Sequence, residues 1–289
     1  MDERSALGLL AGWVDAAGDD AAVIDGLVIT TDMLHERTDF PDGTTRYTAG
    51  WRAVGASLSD VAAMGGTATA AVAAYGAPAF DEEEISSFVE GASDVCALVD
   101  AAYVGGDLDD HDEFTVAGAV VGRTDEPVFR RGAKPGDAVY VTGTLGRTGA
   151  AIREFERGNA DRGNELFRFE PRVAAGRRLV GVASAMMDSS DGLARSLHQL
   201  AAASDCGFDV EWDRLPVDRA VDAVADGEAE RRELSVFFGE DFELVFTGPR
   251  AVVEANREWL DTPITRIGRV TEDGVLADGD PLPDRGYSH

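Results

Sequence analysis

The stretch "MMDSSDGLARSLHQL", from Met186 to Leu200, joins an apolar segment to a helical pattern. Two apolar residues lead into four consecutive side chains that carry oxygen, and a glycine then precedes a helical pattern. Leu193, Leu197 and Leu200 recur at helix spacing, so the stretch predicts a buried strand that turns into a helix. A single Ser or Asp is enough to cap a helix. Four oxygen-bearing side chains in one turn therefore indicate a use beyond capping.

The composition is that of a globular protein with room for two domains of ordinary size. The chain has 289 residues, of which 44% are hydrophobic. No apolar run approaches the ~20 residues of a membrane span, and the N-terminal "MDERSALGLL" lacks the basic-then-apolar pattern of a signal peptide. Cys96 and Cys206 have no metal-ligand spacing and indicate a reducing compartment. We expect a cytoplasmic protein that does not bind membranes.

The charge balance is strongly acidic. The chain has 54 acidic against 26 basic residues, a net charge of −28, and Lys134 is its single lysine. Nucleic acids and anionic membranes both require a basic surface, so neither is expected as a partner. Such a surface favours solubility in a salt-rich cytoplasm, as in halophilic archaea. A generally acidic metal-binding protein is the alternative interpretation.

Strand and helix patterns alternate along the chain and predict an α/β (α+β) fold with two domains. A strand is expected over Gly26–Leu34, and a helix over Ile85–Tyr103. The segment "DEPVFRRGAKPGD" combines two prolines with a charge cluster, which is typical of a domain boundary. We therefore place the boundary near Thr124, with domains at residues 1–124 and 125–289.

Short carboxylates recur at the ends of apolar elements or inside apolar segments. They are Asp19, Asp20, Asp32, Asp60, Asp107, Asp188, Asp191, Glu240 and Asp241. Carboxylates that converge in a fold repel one another unless cations join them. Mg²⁺ binds through a few carboxylates together with phosphate oxygens. The pattern therefore predicts magnesium-dependent phosphate chemistry.

A series of motifs extends this prediction to nearly the whole chain. In order they are "GDDAAV", "TTDML", "SLSDVAAMGG", "GGD", "RRGAKPGDAVYVTGTLG", "DSSDGLARSL", "GEDFELVFT" and "GYSH". With them the chain resembles the thiamine-monophosphate kinases, of the aminoimidazole ribonucleotide synthetase-like superfamily. The resemblance implies an N-terminal α/β domain that binds metal and ATP and forms a homodimer. It also implies a C-terminal α/β domain that completes the nucleotide and substrate site.

The resemblance also implies roles for individual residues. For Mg²⁺ it indicates Asp20, Thr30, Thr31, Asp32, Asp60, Asp107, Asp188 and Asp191. For the nucleotide it indicates Gly106, Asp107, Arg130 and Ser190, and for the thiamine substrate Asp39, Glu240 and Tyr287. Asp60 and Asp107 are assigned to catalysis. Asp39 stands where bacterial members have a histidine, so its substrate contact is expected to differ.

The implied reaction moves the γ-phosphoryl of ATP onto thiamine monophosphate by direct in-line transfer with several Mg²⁺ ions. The acceptor phosphate has a second pKa of ~6 and needs no general base. A homodimer is expected from the resemblance and from the small-residue strand "TATAAVAAYG". Two alternatives are another ATP-using enzyme of the superfamily and a non-catalytic acidic metal-binding protein.

Overall fold

A five-stranded sheet and a seven-stranded sheet carry the two halves of the chain in the computed structural model. The structure describes residues 9–10, 12–14 and 16–287. Residues 1–8, most of the N-terminal segment "MDERSALGLL", lie outside this range. The last two residues of the "GYSH" motif also lie outside it. The two sheets with their covering helices confirm the mixed α/β class predicted from the sequence.

The N-terminal sheet has the order β1-β2-β5-β3-β4. Its strands are β1 (Ala22–Ile24), β2 (Leu27–His35), β3 (Thr67–Ala77), β4 (Ala102–Asp110) and β5 (Thr115–Arg123). Only the β3–β4 pair is parallel, and β4 is an edge strand. The strand predicted over Gly26–Leu34 is confirmed as β2.

The C-terminal sheet follows a connection over residues 124–137 that contains no helix or strand. Its strands are β6 (Ala138–Thr142), β7 (Ala185–Asp188), β8 (Gly207–Val210), β9 (Leu244–Gly248), β10 (Ile264–Thr271), β11 (Val275–Ala277) and β12 (Asp280–Pro281). Their order is β12-β11-β8-β10-β6-β9-β7, and all neighbours except β8 and β11 are antiparallel.

The helices vary from one turn to five turns in length. They are α1 (Glu36–Asp39), α2 (Arg46–Ala63), α3 (Glu82–Ala97), α4 (Arg147–Glu156), α5 (Ala160–Phe167), α6 (Val173–Leu179), α7 (Leu193–Ser204), α8 (Arg219–Val224), α9 (Glu228–Arg232) and α10 (Arg250–Asn256). Single turns of 3₁₀-helix span Trp212–Arg214 and Arg257–Trp259, and a π-helical turn spans Glu233–Phe237. None of the described helices is long and apolar enough to cross a bilayer.

One helix prediction is wrong at its C-terminal end. The helix expected over Ile85–Tyr103 ends at Ala97, and Tyr103 belongs to β4. Asp100 adopts a left-handed backbone conformation with φ of 58°, which turns the chain out of the helix and into the strand. Apolar residues continue at helical spacing across this turn, so the sequence pattern does not show where the helix ends and β4 begins.

The stretch from Met186 to Leu200 folds as predicted, because β7 leads into α7 there. Gly192 is the N-cap residue of α7, and no side chain makes a capping bond there. The four oxygen-bearing side chains before Gly192 are therefore not needed to cap the helix. Their oxygens are available for contacts across the molecule.

Helices α2 and α3 pack together on one face of the N-terminal sheet through a reciprocal glycine contact. A Cβ on Gly50 would lie 2.1 Å from the Phe88 carbonyl oxygen, and a Cβ on Gly91 would lie 1.9 Å from the Tyr47 carbonyl oxygen. Only glycine at both positions lets the two backbones approach so closely. The contact fixes α2, which carries Asp60.

We expect Gly91→Ala to destabilise the protein although alanine is the better helix former. The added methyl group would overpack the α2–α3 contact and lower the free energy of unfolding by ~1–3 kcal/mol, as measured by denaturant melting. Glu90→Ala, at an exposed position on the same helix, serves as the control and should change stability little. Equal stability of the two variants would contradict the packing role of Gly91.

Candidate active site

Three carboxylates from distant segments meet where the two halves of the chain join. Asp20 precedes β1, Asp60 lies in α2, and Asp188 ends β7. One carboxylate oxygen from each lies within 4.8 Å of the others. Oxygens of this kind at this separation are the donor set that a hard divalent cation requires. We refer to Asp20, Asp60 and Asp188 as the carboxylate cluster.

Hydroxyl groups orient two members of the carboxylate cluster. The Thr30 hydroxyl donates to the Asp60 carboxylate, and the Ser59 hydroxyl donates to the Asp188 carboxylate at 2.6 Å. Burial, and then repulsion from neighbouring carboxylates, raises the pKa of Asp60 well above its usual range. The same two causes raise the pKa of Asp188 to about 8. The cluster therefore needs a proton or another cation at neutral pH.

Arg130 brings a positive charge to the edge of the cluster. Its Nε and Nη2 atoms donate to the two carboxylate oxygens of Asp20 at 3.2 and 2.9 Å. Its backbone N–H donates to the Asp19 carboxylate at 2.7 Å. Arg130 lies in the connection between the two domains, so these hydrogen bonds hold that connection against the turn that contains Asp19 and Asp20.

A cavity of about 490 Å³ opens beside the cluster. Its lining includes Leu10, Val14, Asp20, Ile29, Thr30, Thr31, Ala119 and Arg130. One part of this wall is apolar, and the other carries charged and hydroxyl groups. A ligand bound there would contact apolar side chains on one side and the groups of the carboxylate cluster and Arg130 on the other.

Asp32 lies close to the cluster, and Thr31 points to the other face of the sheet. The Ser57 hydroxyl donates to the Asp32 carboxylate at 2.7 Å. Burial is the main cause of the raised pKa of Asp60, and the charge of Asp32 is the next largest cause. The Thr31 hydroxyl donates to the Gly118 carbonyl at 2.8 Å. Asp32 therefore faces α2, whereas Thr31 reaches the cavity from the open side.

Gly106 and Asp107 do not join the cluster within one chain. Both lie on β4, which β3 and β5 separate from β2. Three strand spacings place them ~14 Å across the sheet from Asp32. Asp107 pairs with Ala74, whose side chain is exposed on the open face of the sheet.

Ser190 and Asp191 connect the cluster to a second cavity through backbone hydrogen bonds. The Glu240 N–H donates to the Ser190 carbonyl at 2.6 Å. The Tyr287 N–H donates to the Asp191 carbonyl at 3.0 Å. The loop that follows Asp188 therefore holds Glu240 and Tyr287, two of the three residues that the resemblance assigns to the thiamine substrate.

The second cavity has a volume of about 530 Å³ and brings together Asp39, Glu240 and Tyr287. The Tyr287 hydroxyl donates to the Thr38 carbonyl at 3.1 Å and lies 3.5 Å from the Asp39 carboxylate. Burial, followed by the charges of Glu240 and Asp39, raises the pKa of Tyr287. Three residues assigned to one substrate thus line one cavity, although more than 200 positions separate Asp39 from Glu240. We call it the acceptor pocket.

Sequence reasoning missed the residues that hold these side chains in place. Ser59 orients Asp188, and Arg52 forms an ion pair with Glu240 at 3.1 Å. The available signal was an arginine inside the otherwise small and apolar helix "WRAVGASLSDVAAMG". A charged residue in such a helix requires a buried partner.

The chain matches known protein families and relatives over most or all of its length. Residues 18–124 match the family model "AIR synthase related protein, N-terminal domain", and residues 134–278 match "AIR synthase related protein, C-terminal domain". The thiamine-monophosphate kinase of Halobacterium salinarum is 61% identical, with both chains covered in full. That of Methanospirillum hungatei is 41% identical, with 100% of this chain and 99% of the relative covered.

A solved structure supports the same relationship. The complex of AaThiL with AMPPCP and TMP superposes with a TM-score of 0.91 and 28% identity, covering 100% of this chain and 97% of that one. Identity over the full length, both domain models and this superposition agree. The chain therefore belongs to the thiamine-monophosphate kinase family of AIR synthase related proteins.

Proposed function

We propose that this chain transfers the γ-phosphoryl group of ATP to thiamine monophosphate and so produces thiamine diphosphate. The observation that carries the proposal is the carboxylate cluster between two cavities. Asp20 lies in the wall of one cavity, and the loop after Asp188 is bonded to Glu240 of the other. The relatives named thiamine-monophosphate kinase and the AaThiL complex with AMPPCP and TMP support the choice of substrates.

The donor set of the cluster fits magnesium. Asp20, Asp60 and Asp188 offer carboxylate oxygens within 4.8 Å of one another, and Mg²⁺ takes carboxylates together with phosphate oxygens. When bound, Mg²⁺ would neutralise phosphate charge and help to align the transferred group. Further ligands proposed from the family pattern are Thr30, Thr31, Asp32, Asp107 and Asp191.

The protein's own residues bind and orient the two substrates. Arg130 lies in the polar wall of the first cavity, where its guanidinium can contact a polyphosphate. Gly106, Asp107 and Ser190 are proposed as further nucleotide contacts. In the acceptor pocket, Glu240 and Asp39 offer negative charge to a cationic ring.

No general base is required, because the acceptor phosphate is already largely ionised. The described histidines are used elsewhere. His35 contacts Thr115, His111 contacts the Glu113 carbonyl, and His198 contacts the Leu282 carbonyl. Among the cavity-lining residues described above, none is a histidine.

The open face of the N-terminal sheet supports the proposal of a homodimer. Four apolar side chains on it are 38–55% exposed, namely Ile29, Met33, Val72 and Val121. A second copy that covers this face would bury them in a twofold interface. Asp107 lies on the same face, so the interface could bring Asp107 of one copy near Thr31 of the other. This arrangement would explain why the two residues lie apart within one chain.

We also infer a cytoplasmic enzyme adapted to high salt. ATP as co-substrate and two cysteines that form no disulfide support the cytoplasm. The net charge of −28 and the near-absence of lysine support adaptation to salt.

The proposed activity is tested by incubating the protein with γ-³²P-labelled ATP and thiamine monophosphate in molar KCl. We expect labelled thiamine diphosphate to form when Mg²⁺ is present and to be absent when EDTA replaces it. Aminoimidazole precursors serve as the competing substrates. Turnover with those precursors alone would instead indicate another activity of the superfamily, and no ATP use at all would indicate a non-catalytic protein.

We expect Asp60→Asn to reduce kcat at least ~10²-fold, because a metal-held charge stabilises the transition state by several kcal/mol. Steady-state kinetics at saturating Mg²⁺ measure the effect. The melting temperature should be maintained or raised, because one repelling charge is removed from the cluster. Asp112→Asn, at an exposed position, is the matched control. Turnover close to that of the control would rule out the role assigned to Asp60.

We expect Val72→Asp to convert the dimer into a monomer of 30.6 kDa, because it places a charge in the centre of the proposed interface. Light scattering after size exclusion in molar KCl measures the mass. Val252→Asp is the control, because both valines are 40% exposed and Val252 lies on α10. Identical masses for the two variants, or a monomeric parent protein, would contradict the interface.

A further inference from the structure

Arg52 is a buried charge at the contact between the two domains. Its side chain lies in the middle of α2 and is 3% exposed. Nη1 donates to the Phe167 carbonyl at 2.7 Å, and Nη2 donates to the Glu240 carboxylate at 3.1 Å. One arginine from the N-terminal domain thus holds two groups of the C-terminal domain.

Aromatic rings surround the guanidinium of Arg52. Its central carbon lies 3.7 Å from the ring centroid of Phe167, 5.4 Å from that of Phe169 and 5.6 Å from that of Phe242. These distances are within the range of cation–π attraction. The planar group is therefore held in one orientation by rings as well as by hydrogen bonds.

Such a site is difficult to explain by stability alone. A buried ion pair gives little or no net stability compared with apolar residues of similar size. Apolar residues in place of the whole pair would avoid its desolvation cost and could pack among the surrounding rings. The retained charge therefore indicates a use at the adjoining site.

The adjoining site is the acceptor pocket. Glu240 lines this cavity together with Asp39 and Tyr287, and all three act electrostatically on Arg52. Arg52 itself is absent from the lining, so it lies behind the pocket wall. It can influence a bound molecule only through the groups that it holds.

We propose that Arg52 is a positioning residue for the acceptor pocket, where it holds the Glu240 carboxylate in place to receive the cationic ring of the substrate. This inference rests on the proposed function. Glu240, Asp241 and Asp39 all place negative charge near Arg52, and of these three buried carboxylates Glu240 and Asp39 line the pocket. The charged residues at the rim, Arg37, Asp42 and Glu156, are exposed and are screened by water and salt.

The test is a double-mutant cycle on KM with Arg52→Met, Glu240→Gln and the combined variant. Arg52→Met should raise KM for thiamine monophosphate at least ~10-fold, because it removes one partner of a buried charge pair. KM for ATP should stay within about twofold. Because Arg52 acts through Glu240, the combined variant should raise KM no more than the larger of the two single changes. Arg52→Lys keeps the charge and should recover part of the loss.

Arg172→Met is the matched control. Arg172 also pairs with a glutamate, the buried Glu243, through bonds of 2.8 and 2.7 Å, although its own side chain is partly exposed, and it does not line the acceptor pocket. We expect it to lower the melting temperature without changing either KM. Effects of Arg52→Met and Glu240→Gln that add in full, or equal rises in both KM values without rescue by lysine, would overturn the proposal.

Equilibrium binding of thiamine monophosphate by calorimetry separates this inference from the proposed function. A parent protein that binds the compound without turning it over would contradict the function, while its Arg52 variants would still decide the positioning role. A parent protein that neither binds nor turns over the compound would overturn both. If Arg52→Met does not fold, the combined variant removes the whole buried pair and can be compared with Glu240→Gln.

Discussion

Repulsion among the carboxylates of Asp20, Asp60 and Asp188 is the constraint on which the candidate active site depends. Three carboxylates within 4.8 Å oppose folding unless a cation joins them. They arise from a turn, a helix and a strand end in different domains, so their contact depends on the packing of the whole chain. The hydroxyls of Thr30 and Ser59 and the guanidinium of Arg130 form hydrogen bonds with these carboxylates and fix their positions. A cation between the carboxylates would offset their repulsion.

Helix α2 links this cluster to the acceptor pocket. Thr45, Arg52 and Ser59 are spaced by seven residues and lie along one stripe. Thr45 contacts Asn164 at 2.9 Å, Arg52 contacts Phe167 and Glu240, and Ser59 contacts Asp188. One helix face therefore sets the position of the C-terminal domain at three points. The same helix therefore contacts both a group of the acceptor pocket and a member of the carboxylate cluster.

The sequence predicts the chemistry better than the geometry. The sequence predicts the oxygen-bearing side chains at the end of β7 and the amphipathic helix α2, because strand and helix periods differ and show where each element lies. Which carboxylates meet depends on packing between domains, which no local pattern records. Asp107 shows this limit, since its motif resembles the others while its strand lies on the far side of the sheet. Arg52 shows the opposite limit, because its partner Glu240 is 188 positions away.

The most direct test of this account is the anomalous diffraction of Mn²⁺ in crystals grown with AMPPCP. Mn²⁺ takes the same oxygen ligands as Mg²⁺ and can be located by its own scattering. We expect an anomalous peak within bonding distance of carboxylate oxygens from Asp20, Asp60 and Asp188. Nucleotide bound with Mn²⁺ peaks that contact none of these three aspartates would contradict it.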